Sequence, residues 1–300
     1  MTVRISVCLC TFQRPQVFDT LLSIEQQQLP DNVELEISVA DNDAQGSGQA
    51  AITRFQQQST IPVQYEIQPQ KNISFARNTT LKNATGEWVI FIDDDEIAEP
   101  DWIAQLWACA QTYQADAVLG RVIIHYPDNT PTWILEGDYF QKYTAPTGTE
   151  VRVGSTCNAL VRRRSLPDPP NSFDPNYGIT GGGDTHLFNR LYRHGGKIVT
   201  CREAIVSETV EPERLNQDYL LRKATRIGET YAVIFFSALN PLSKVWQLSR
   251  ATVQTLVAGA LALCCGPFTH KYSFRYRLLM NTNWGKVRFF FNAPPVEIYK

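Results

Sequence analysis

The sequence has 300 residues, of which 43% are hydrophobic and 19% are charged, a composition that excludes disordered, collagen-like and coiled-coil proteins. Its formal net charge of −2 conceals an asymmetry, because residues 215–300 carry 11 Lys and Arg against 3 Asp and Glu. The first 214 residues carry 17 basic against 27 acidic side chains. A basic segment of this kind favours contact with an anionic surface.

Strands and helices alternate along most of the chain. The patterning predicts strands over 3–10, 35–40, 63–67, 87–92, 117–124, 158–162 and 198–200, and helices over 16–28, 47–58, 74–84, 101–114 and 185–194. This alternation predicts an α/β fold with a mostly parallel central sheet, in which ligands bind beyond the carboxyl ends of the strands. Residues 126–154 are rich in Pro, Gly, Thr and aromatic residues, which predicts a long loop. Its aromatic side chains could stack on sugar rings or anchor the loop.

The N-terminus and the cysteines bear on the compartment. The first residues lack the long apolar core of a secretory signal and predict a strand, so we expect a cytoplasmic chain. Seven cysteines without a CxxC spacing are typical of thiols packed in a reducing compartment rather than of disulfides or a zinc site.

An acidic run, Asp93-Asp94-Asp95-Glu96, follows the apolar strand over 87–92 directly. Carboxylates crowded at a strand end repel one another unless a cation lies between them. Mg²⁺ and Mn²⁺ are bound in this way, by one or two carboxylates together with substrate phosphates. The alternative is a solvated acidic turn, and the position after a core strand favours the metal.

Asp184 follows three consecutive glycines and precedes a predicted helix. Asp is a preferred N-cap residue, so a capping role explains it without any chemistry. A glycine-rich loop can also bring a carboxylate to a substrate hydroxyl, where it would act as a general base. The residues alone leave both readings open.

Six segments in order resemble the family 2 glycosyltransferases of bacterial polysaccharide synthesis. They are SVCLCTFQRP (6–15), VADND (39–43), SFARN (74–78), GEWVIFIDDDE (86–96), NALVR (158–162) and GGGDT (181–185). The resemblance covers roughly residues 3–210. It implies the GT-A fold, which binds a nucleotide-sugar donor, together with a Mg²⁺ or Mn²⁺ ion.

The resemblance also implies roles for individual residues. Asp184 matches the catalytic base of inverting members, although this chain has Gly183 where the family often has Glu. Asp95 and Asp93 match the DxD motif and would bind the metal, with Asp93 also directed towards the ribose. The residues that would line the nucleotide pocket are Thr11, Arg14, Asp41, Asp43, Arg77, Asp93 and Asp94, with Asp41 and Asp43 near the base.

The last third of the chain differs in composition. Residues 230–243 and 251–269 carry no Asp, Glu, Lys or Arg, and basic and aromatic residues flank both stretches. We therefore predict a catalytic domain over 1–214 and a helical appendage over 215–300 that lies on the anionic, cytoplasmic face of the inner membrane. A packed helical subdomain and a spanning hairpin are alternatives, and the alternation of basic residues with apolar runs disfavours nucleic acid.

The sequence thus predicts an inverting, metal-dependent glycosyltransferase that uses a nucleotide-diphosphate sugar, with a UDP-sugar favoured, and a glycan or lipid-linked acceptor. Two other functions stay open. One is a sugar-nucleotide nucleotidyltransferase, which also uses carboxylate-bound Mg²⁺. The other is an inactive, membrane-bound glycan-binding protein, which the Gly183 departure motivates.

Overall fold

The computed structural model describes residues 2–297. Its strands are β1 Val3–Thr11, β2 Val33–Asp41, β3 Val63–Ile67, β4 Trp88–Ile92, β5 Glu96–Ala98, β6 Ala117–His125, β7 Asn158–Arg162 and β8 Ile198–Thr209. Its α-helices are α1 Val17–Glu25, α2 Gln49–Gln56, α3 Ile73–Asn83, α4 Trp102–Tyr113, α5 Thr132–Gly137, α6 Gly183–Arg193, α7 Gln217–Phe236, α8 Pro241–Cys265 and α9 His270–Phe290. The predicted α/β class and the C-terminal helices are confirmed.

The eight strands form one mixed sheet in the order β3-β2-β1-β4-β7-β6-β8-β5. The pairs β3–β2, β2–β1, β1–β4 and β6–β8 are parallel. The pairs β4–β7, β6–β7 and β5–β8 are antiparallel. The carboxyl ends of β1, β2 and β4 therefore meet at one edge, where the predicted site residues follow them.

Hydrophobic burial explains why the central strands are continuous apolar runs. Every residue of β4 is buried, and β1 is buried from Ile5 to Leu9. Helix α3 begins where the Asn72 side chain accepts hydrogen bonds from the N–H groups of Ser74 and Phe75, the usual way in which an Asn N-cap satisfies the first turn.

The sheet is longer than the pattern predicted, because β8 continues to Thr209 and β5 was missed. A register shift between Leu119 and Arg121 interrupts the β6–β8 pairing. The buried side chain of Asn158 fills this irregularity, donating to the carbonyls of Arg121 and Ala204 (both 3.0 Å). The predicted loop over 126–154 is mostly irregular, but it contains α5.

The chain divides into two compact units. Unit 1 comprises residues 1–125, 141–178 and 183–209 and contains the sheet, and unit 2 comprises residues 126–140, 179–182 and 210–300. Within unit 2, a Cβ atom on Gly228 would lie 1.9 Å from the carbonyl oxygen of Thr282, and one on Gly285 would lie 2.0 Å from that of Thr225. Glycine at these two positions lets α7 and α9 pack in direct backbone contact.

Candidate active site

The acidic loop, residues 93–95, connects β4 to β5, and a buried carboxyl group holds its backbone in place. Oε2 of Glu96 accepts a hydrogen bond from the backbone N–H of Asp93 (2.9 Å), and Glu96 is completely buried. Its Oε1 has no hydrogen-bond partner among the described residues, and burial raises its pKa well above the usual value. Glu96 thus determines where the backbone of the loop turns.

Arg14, in the loop after β1, binds two of the three carboxylates of the acidic loop. Its Nη1 lies 2.9 Å from Oδ1 of Asp94 and 2.6 Å from Oδ2 of Asp95. Burial raises the pKa of Asp94 to about 6, although Arg14 opposes the shift. The Thr11 hydroxyl also lowers the pKa of Asp94, yet within the described part of the chain neither this hydroxyl nor Oδ2 of Asp94 has a partner in hydrogen-bond geometry. Polar atoms of this kind are expected where a ligand or water completes the site.

Arg77, on α3, joins the acidic loop to Asp184. Its Nη1 lies 2.6 Å from Oδ1 of Asp184, and its Nη2 lies 3.8 Å from Oδ1 of Asp93. The guanidinium also lies over the ring of Phe173, 5.4 Å from the centroid. One arginine therefore holds two carboxylates that are far apart in the sequence at a common place.

The remaining oxygen of Asp184 is bound by the segment that precedes β7. Its Oδ2 accepts from the Ser155 hydroxyl and from the backbone N–H of Thr156, each at 3.2 Å. Burial would raise the pKa of Asp184, but Arg77 and these donors hold it below the usual value. Asp184 is consequently ionised at neutral pH, and the groups that donate to it belong to other elements rather than to the first turn of α6.

Asp41 and Asp43 lie beside Thr11 but are used within the β2–α2 turn. Asp41 is fully buried and accepts hydrogen bonds from the N–H of Gly48 (2.7 Å) and from the Tyr65 hydroxyl (2.8 Å). Asp43 accepts from the N–H of Gln45 (3.1 Å), which lowers its pKa. The structure thus brings together Arg14, Arg77, Asp93, Asp94, Asp95 and Asp184, and it gives Asp41 and Asp43 contacts that shape the neighbouring turn.

The residues of the acidic loop fit a divalent metal as part of a larger set of ligands. Among residues 2–297, no group of three or more His, Cys, Asp or Glu side chains is arranged to hold a metal ion. Partial desolvation raises the pKa of Asp93, although 46% of its side chain is exposed. The neighbouring carboxylates of Asp95 and Asp184 raise the pKa further, while Arg77 opposes the shift. This excess of negative charge suits a cation that two carboxylates bind together with the phosphates of a substrate, as Mg²⁺ is commonly bound.

Three contributors were missed by sequence reasoning. Glu96 looked like one more residue of the acidic run, yet its exposure is 0%. Lys142 lies 3.5 Å from Oε2 of Glu208, and its positive charge lowers the pKa of Asp93 and of Glu96. Thr156 acts through its backbone N–H, which no side-chain pattern reports. The length of the predicted loop over 126–154 was the available signal for Lys142.

The aromatic residues of that loop serve mainly as anchors. Within unit 2, the ring of Trp133 lies 5.1 Å from that of Phe274, and Tyr139 lies 5.0 Å from the same ring. Phe140 stacks on Tyr219 at 6.3 Å. Tyr143, in unit 1, is the exception, because its exposure is 84%.

Comparison with known proteins gives a sequence family and a fold. The profile of the family described as "Glycosyl transferase family 2" matches residues 6–168. The succinoglycan biosynthesis protein ExoM of Rhizobium meliloti (strain 1021) is 34% identical over 266 residues, which cover 89% of this chain and 86% of that protein.

Two solved structures share the fold at low identity. The mannosyltransferase PcManGT from Pyrobaculum calidifontis, in complex with GDP-Man and Mn²⁺, has a TM-score of 0.67 and 17% identity over 98% of this chain and 89% of that one. S. aureus TarS 1-349 in complex with UDP-GlcNAc has a TM-score of 0.54 and 16% identity, covering 97% of this chain and 92% of that one. In a longer TarS structure, this chain covers 55% of that chain.

Proposed function

Because the chain belongs to glycosyl transferase family 2, we propose that it transfers a sugar from a nucleotide-diphosphate sugar to a hydroxyl group of a glycan or lipid-linked acceptor. The relationship to ExoM supports a role in polysaccharide biosynthesis. The observation that carries the proposal is the arginine bridge, in which Arg77 binds the ionised carboxylate of Asp184 (2.6 Å) and faces Asp93 of the acidic loop (3.8 Å).

Asp184 is proposed as the general base. Its carboxylate takes the proton of the acceptor hydroxyl while that oxygen forms a bond to the anomeric carbon, and the bond from that carbon to the diphosphate breaks. Attack from the face opposite the leaving group inverts the anomeric configuration, and the nucleoside diphosphate departs with the bonding electrons. Base catalysis of this kind contributes roughly 10²–10⁴-fold to the rate.

The acidic loop and the two arginines are proposed to receive the donor. Thr11, Arg14 and Asp94 would line the nucleotide pocket, and Asp93 and Asp95 would hold Mg²⁺ or Mn²⁺. When bound, such an ion neutralises negative charge on the departing diphosphate. Asp41 and Asp43 would support the base of the nucleotide through the turn that they shape. Among donors, a UDP-sugar remains our prediction, and the neighbours of the same fold hold UDP-GlcNAc in TarS and GDP-Man in PcManGT.

Residues 1–214 are proposed as the catalytic domain and residues 215–300 as an appendage on the anionic, cytoplasmic face of the inner membrane. Of the helices in the described residues, α8 alone is long and apolar enough to cross a membrane, with a mean hydropathy of 1.4 over its most apolar 18 residues, 17% of which are buried. Side chains such as Trp246 (66% exposed) and Leu263 (80%) project from it. The basic residues around α8 favour a helix that lies at the interface.

The Asp184→Asn variant tests the proposed reaction. Transfer should fall by at least about 100-fold because the amide cannot accept the proton, while binding of the nucleotide-sugar with Mn²⁺, measured by calorimetry, should change little. Asp128→Asn, at an exposed position, is the matched control. The assay should use UDP-, GDP- and dTDP-sugars, and the anomeric configuration of the product should be determined by NMR.

The same assay separates the alternatives. Release of pyrophosphate from a nucleoside triphosphate and a sugar phosphate would identify a nucleotidyltransferase. Glycan binding without turnover would identify an inactive binding protein. Full transfer activity in Asp184→Asn would refute the assignment of the base.

A further inference from the structure

A groove in unit 2 lies outside the candidate active site. It is a cavity of about 330 Å³ between α7, α8 and α9. One end is polar and includes Arg250 and Lys286, and the other is apolar and includes Val257, Leu261 and Leu279. We call it the α8–α9 groove.

The polar end holds two cations that have no anionic partner among the described residues. Lys286 donates to Oδ1 of Asn283 (3.0 Å) and lies 5.1 Å from the centroid of the Tyr231 ring. Burial lowers the pKa of Lys286, and the charge of Arg250 lowers it further. Within residues 2–297 neither cation forms an ion pair with a carboxylate, and α8 and α9 contain no Asp or Glu.

Lys286 differs in this respect from a neighbouring cation on its own helix. Arg288, on the same helix as Lys286, lies 2.5 Å from Oε1 of Glu229. Two neighbouring cations without an anion repel each other, so the polar end of the groove has the charge of a site for an anion that comes from elsewhere.

The groove continues along α8 as an exposed apolar surface. Val253, Val257 and Leu261 are 58%, 53% and 38% exposed, and Leu279 faces them from α9 with 50% exposure. From Arg250 to Leu261 the helix rises about 16 Å, which is the scale of a fatty acyl chain. Water covers these side chains unless an apolar ligand does.

We propose that the α8–α9 groove binds one anionic phospholipid, with the headgroup phosphate between Arg250 and Lys286 and an acyl chain along Val253, Val257 and Leu261. Arg pairs with phosphate through two parallel hydrogen bonds, and Lys adds a second positive charge. The site rests on the membrane association proposed above and adds to it a discrete lipid with a defined place.

The chemistry selects a lipid among other anions. A free phosphate would leave the apolar end of the groove uncovered, whereas a phospholipid satisfies the cations and buries the valines and leucines with one molecule. The neighbouring surface of α8 is apolar over the same length, so a lipid in the groove would be continuous with a bilayer in contact with that surface.

The test is a titration of the purified full chain in a nonionic detergent, followed by native mass spectrometry. Phosphatidylglycerol is expected to bind as one molecule per chain, phosphatidylcholine more weakly, and inorganic phosphate weakest of the three. Detergent removes the surface potential of a bilayer, so the measurement reports the groove alone.

Two pairs of variants test the two ends of the groove. Arg250→Gln with Lys286→Gln should weaken phosphatidylglycerol binding more than about tenfold, whereas Lys244→Gln with Lys271→Gln, which removes the same charge outside the groove, should change it less than about twofold. Val257→Asn should weaken binding severalfold, and Val245→Asn, at another exposed valine of α8 (63%), should not. Thermal unfolding verifies that each variant is folded.

Sedimentation with phosphatidylcholine and phosphatidylglycerol vesicles separates this inference from the membrane association. Three outcomes would refute the lipid site in the groove, even if the chain sediments with vesicles. They are equal weakening by both double charge variants, equal binding of the two lipids, and binding of inorganic phosphate as tight as that of lipid. A wild-type chain that sediments with neither vesicle would refute the membrane association instead.

Discussion

Charged side chains are arranged differently in the two units. In unit 1, Arg14 and Arg77 contact all three carboxylates of the acidic loop and Asp184. In unit 2, Arg250 and Lys286 face the same groove without a carboxylate partner among residues 2–297. Ion pairs between distant elements fix a geometry, as chemistry requires. Cations left unpaired beside an apolar surface instead call for a ligand that supplies the missing charge.

The largest expected effect tests a paired charge inside unit 2. Glu229 is 8% exposed and accepts from Nε of Arg288 and from the N–H of Val296. Arg288→Gln leaves this carboxylate without its cation and should lower the free energy of unfolding by about 3 kcal/mol, the usual cost of breaking a buried pair. Urea denaturation measures the change.

Lys286→Gln is the control within the same helix. Lys286 has no carboxylate partner in the described residues but donates to Asn283. Its replacement should therefore lower the free energy of unfolding by about 1 kcal/mol, the net contribution of one hydrogen bond, which is less than the effect of Arg288→Gln. If the two variants are equally destabilised, the distinction between paired and unpaired cations in unit 2 is wrong.

The next effect concerns the arginine bridge of unit 1. Arg77→Gln releases both Asp93 and Asp184 and should reduce kcat/KM by about 100-fold, since small displacements of catalytic groups have effects of this size. Arg164→Gln, at an exposed position, is the control. Steady-state kinetics with the preferred donor provides the measurement.

The same variant changes the dependence on pH. Asp184 acts as a carboxylate, so activity is present above its pKa and is lost as the pH falls through it. In the wild type the pKa lies below the usual value because Arg77 and the donors outweigh burial. Without Arg77 the effect of burial is opposed less, and the acidic limb of the kcat/KM profile should move to higher pH. An unmoved limb would contradict the role of Arg77.

The smallest effect concerns the support of the acidic loop. Glu96→Ala removes the acceptor for the N–H of Asp93 and should cost about 1–3 kcal/mol of stability, with a loss of activity of about tenfold. Glu96→Gln keeps an oxygen at that position and should retain most of both. If Glu96→Gln is as impaired as Glu96→Ala, the carboxyl group does more than position the backbone of Asp93.

Much of the site could be predicted because the sequence shows where the apolar run of a buried strand ends. The run of buried residues in β4 ends where Asp93 begins, and parallel strands bring such ends to one edge of the sheet. The contact between Arg77 and Asp184 could not be read in this way, because 107 residues separate them and only the folded chain determines which carboxylate the guanidinium meets. The family resemblance pointed to both residues but not to the ion pair between them.

The other features could not be predicted because the sequence does not show which polar side chains are buried or which charges are paired. Asp93 and Glu96 belong to the same acidic run in the sequence, yet in the structure the Asp93 side chain is 46% exposed and Glu96 is completely buried. The strand β8 was cut short because its interior contains Arg202 and Glu203, which look like a turn. The unpaired state of Arg250 and Lys286 depends on what faces them across three helices, and composition alone reports only that the segment is basic.

The bridge made by Arg77 has a consequence for how variants of this enzyme combine. Because one guanidinium contacts both Asp93 and Asp184, losing either carboxylate changes the surroundings of the other. Substitutions at the two positions are therefore epistatic, and their effects on the free energy of activation will not sum. The same holds for Arg77, whose loss alters the surroundings of both carboxylates, so the effect of any substitution among these three residues depends on the state of the other two.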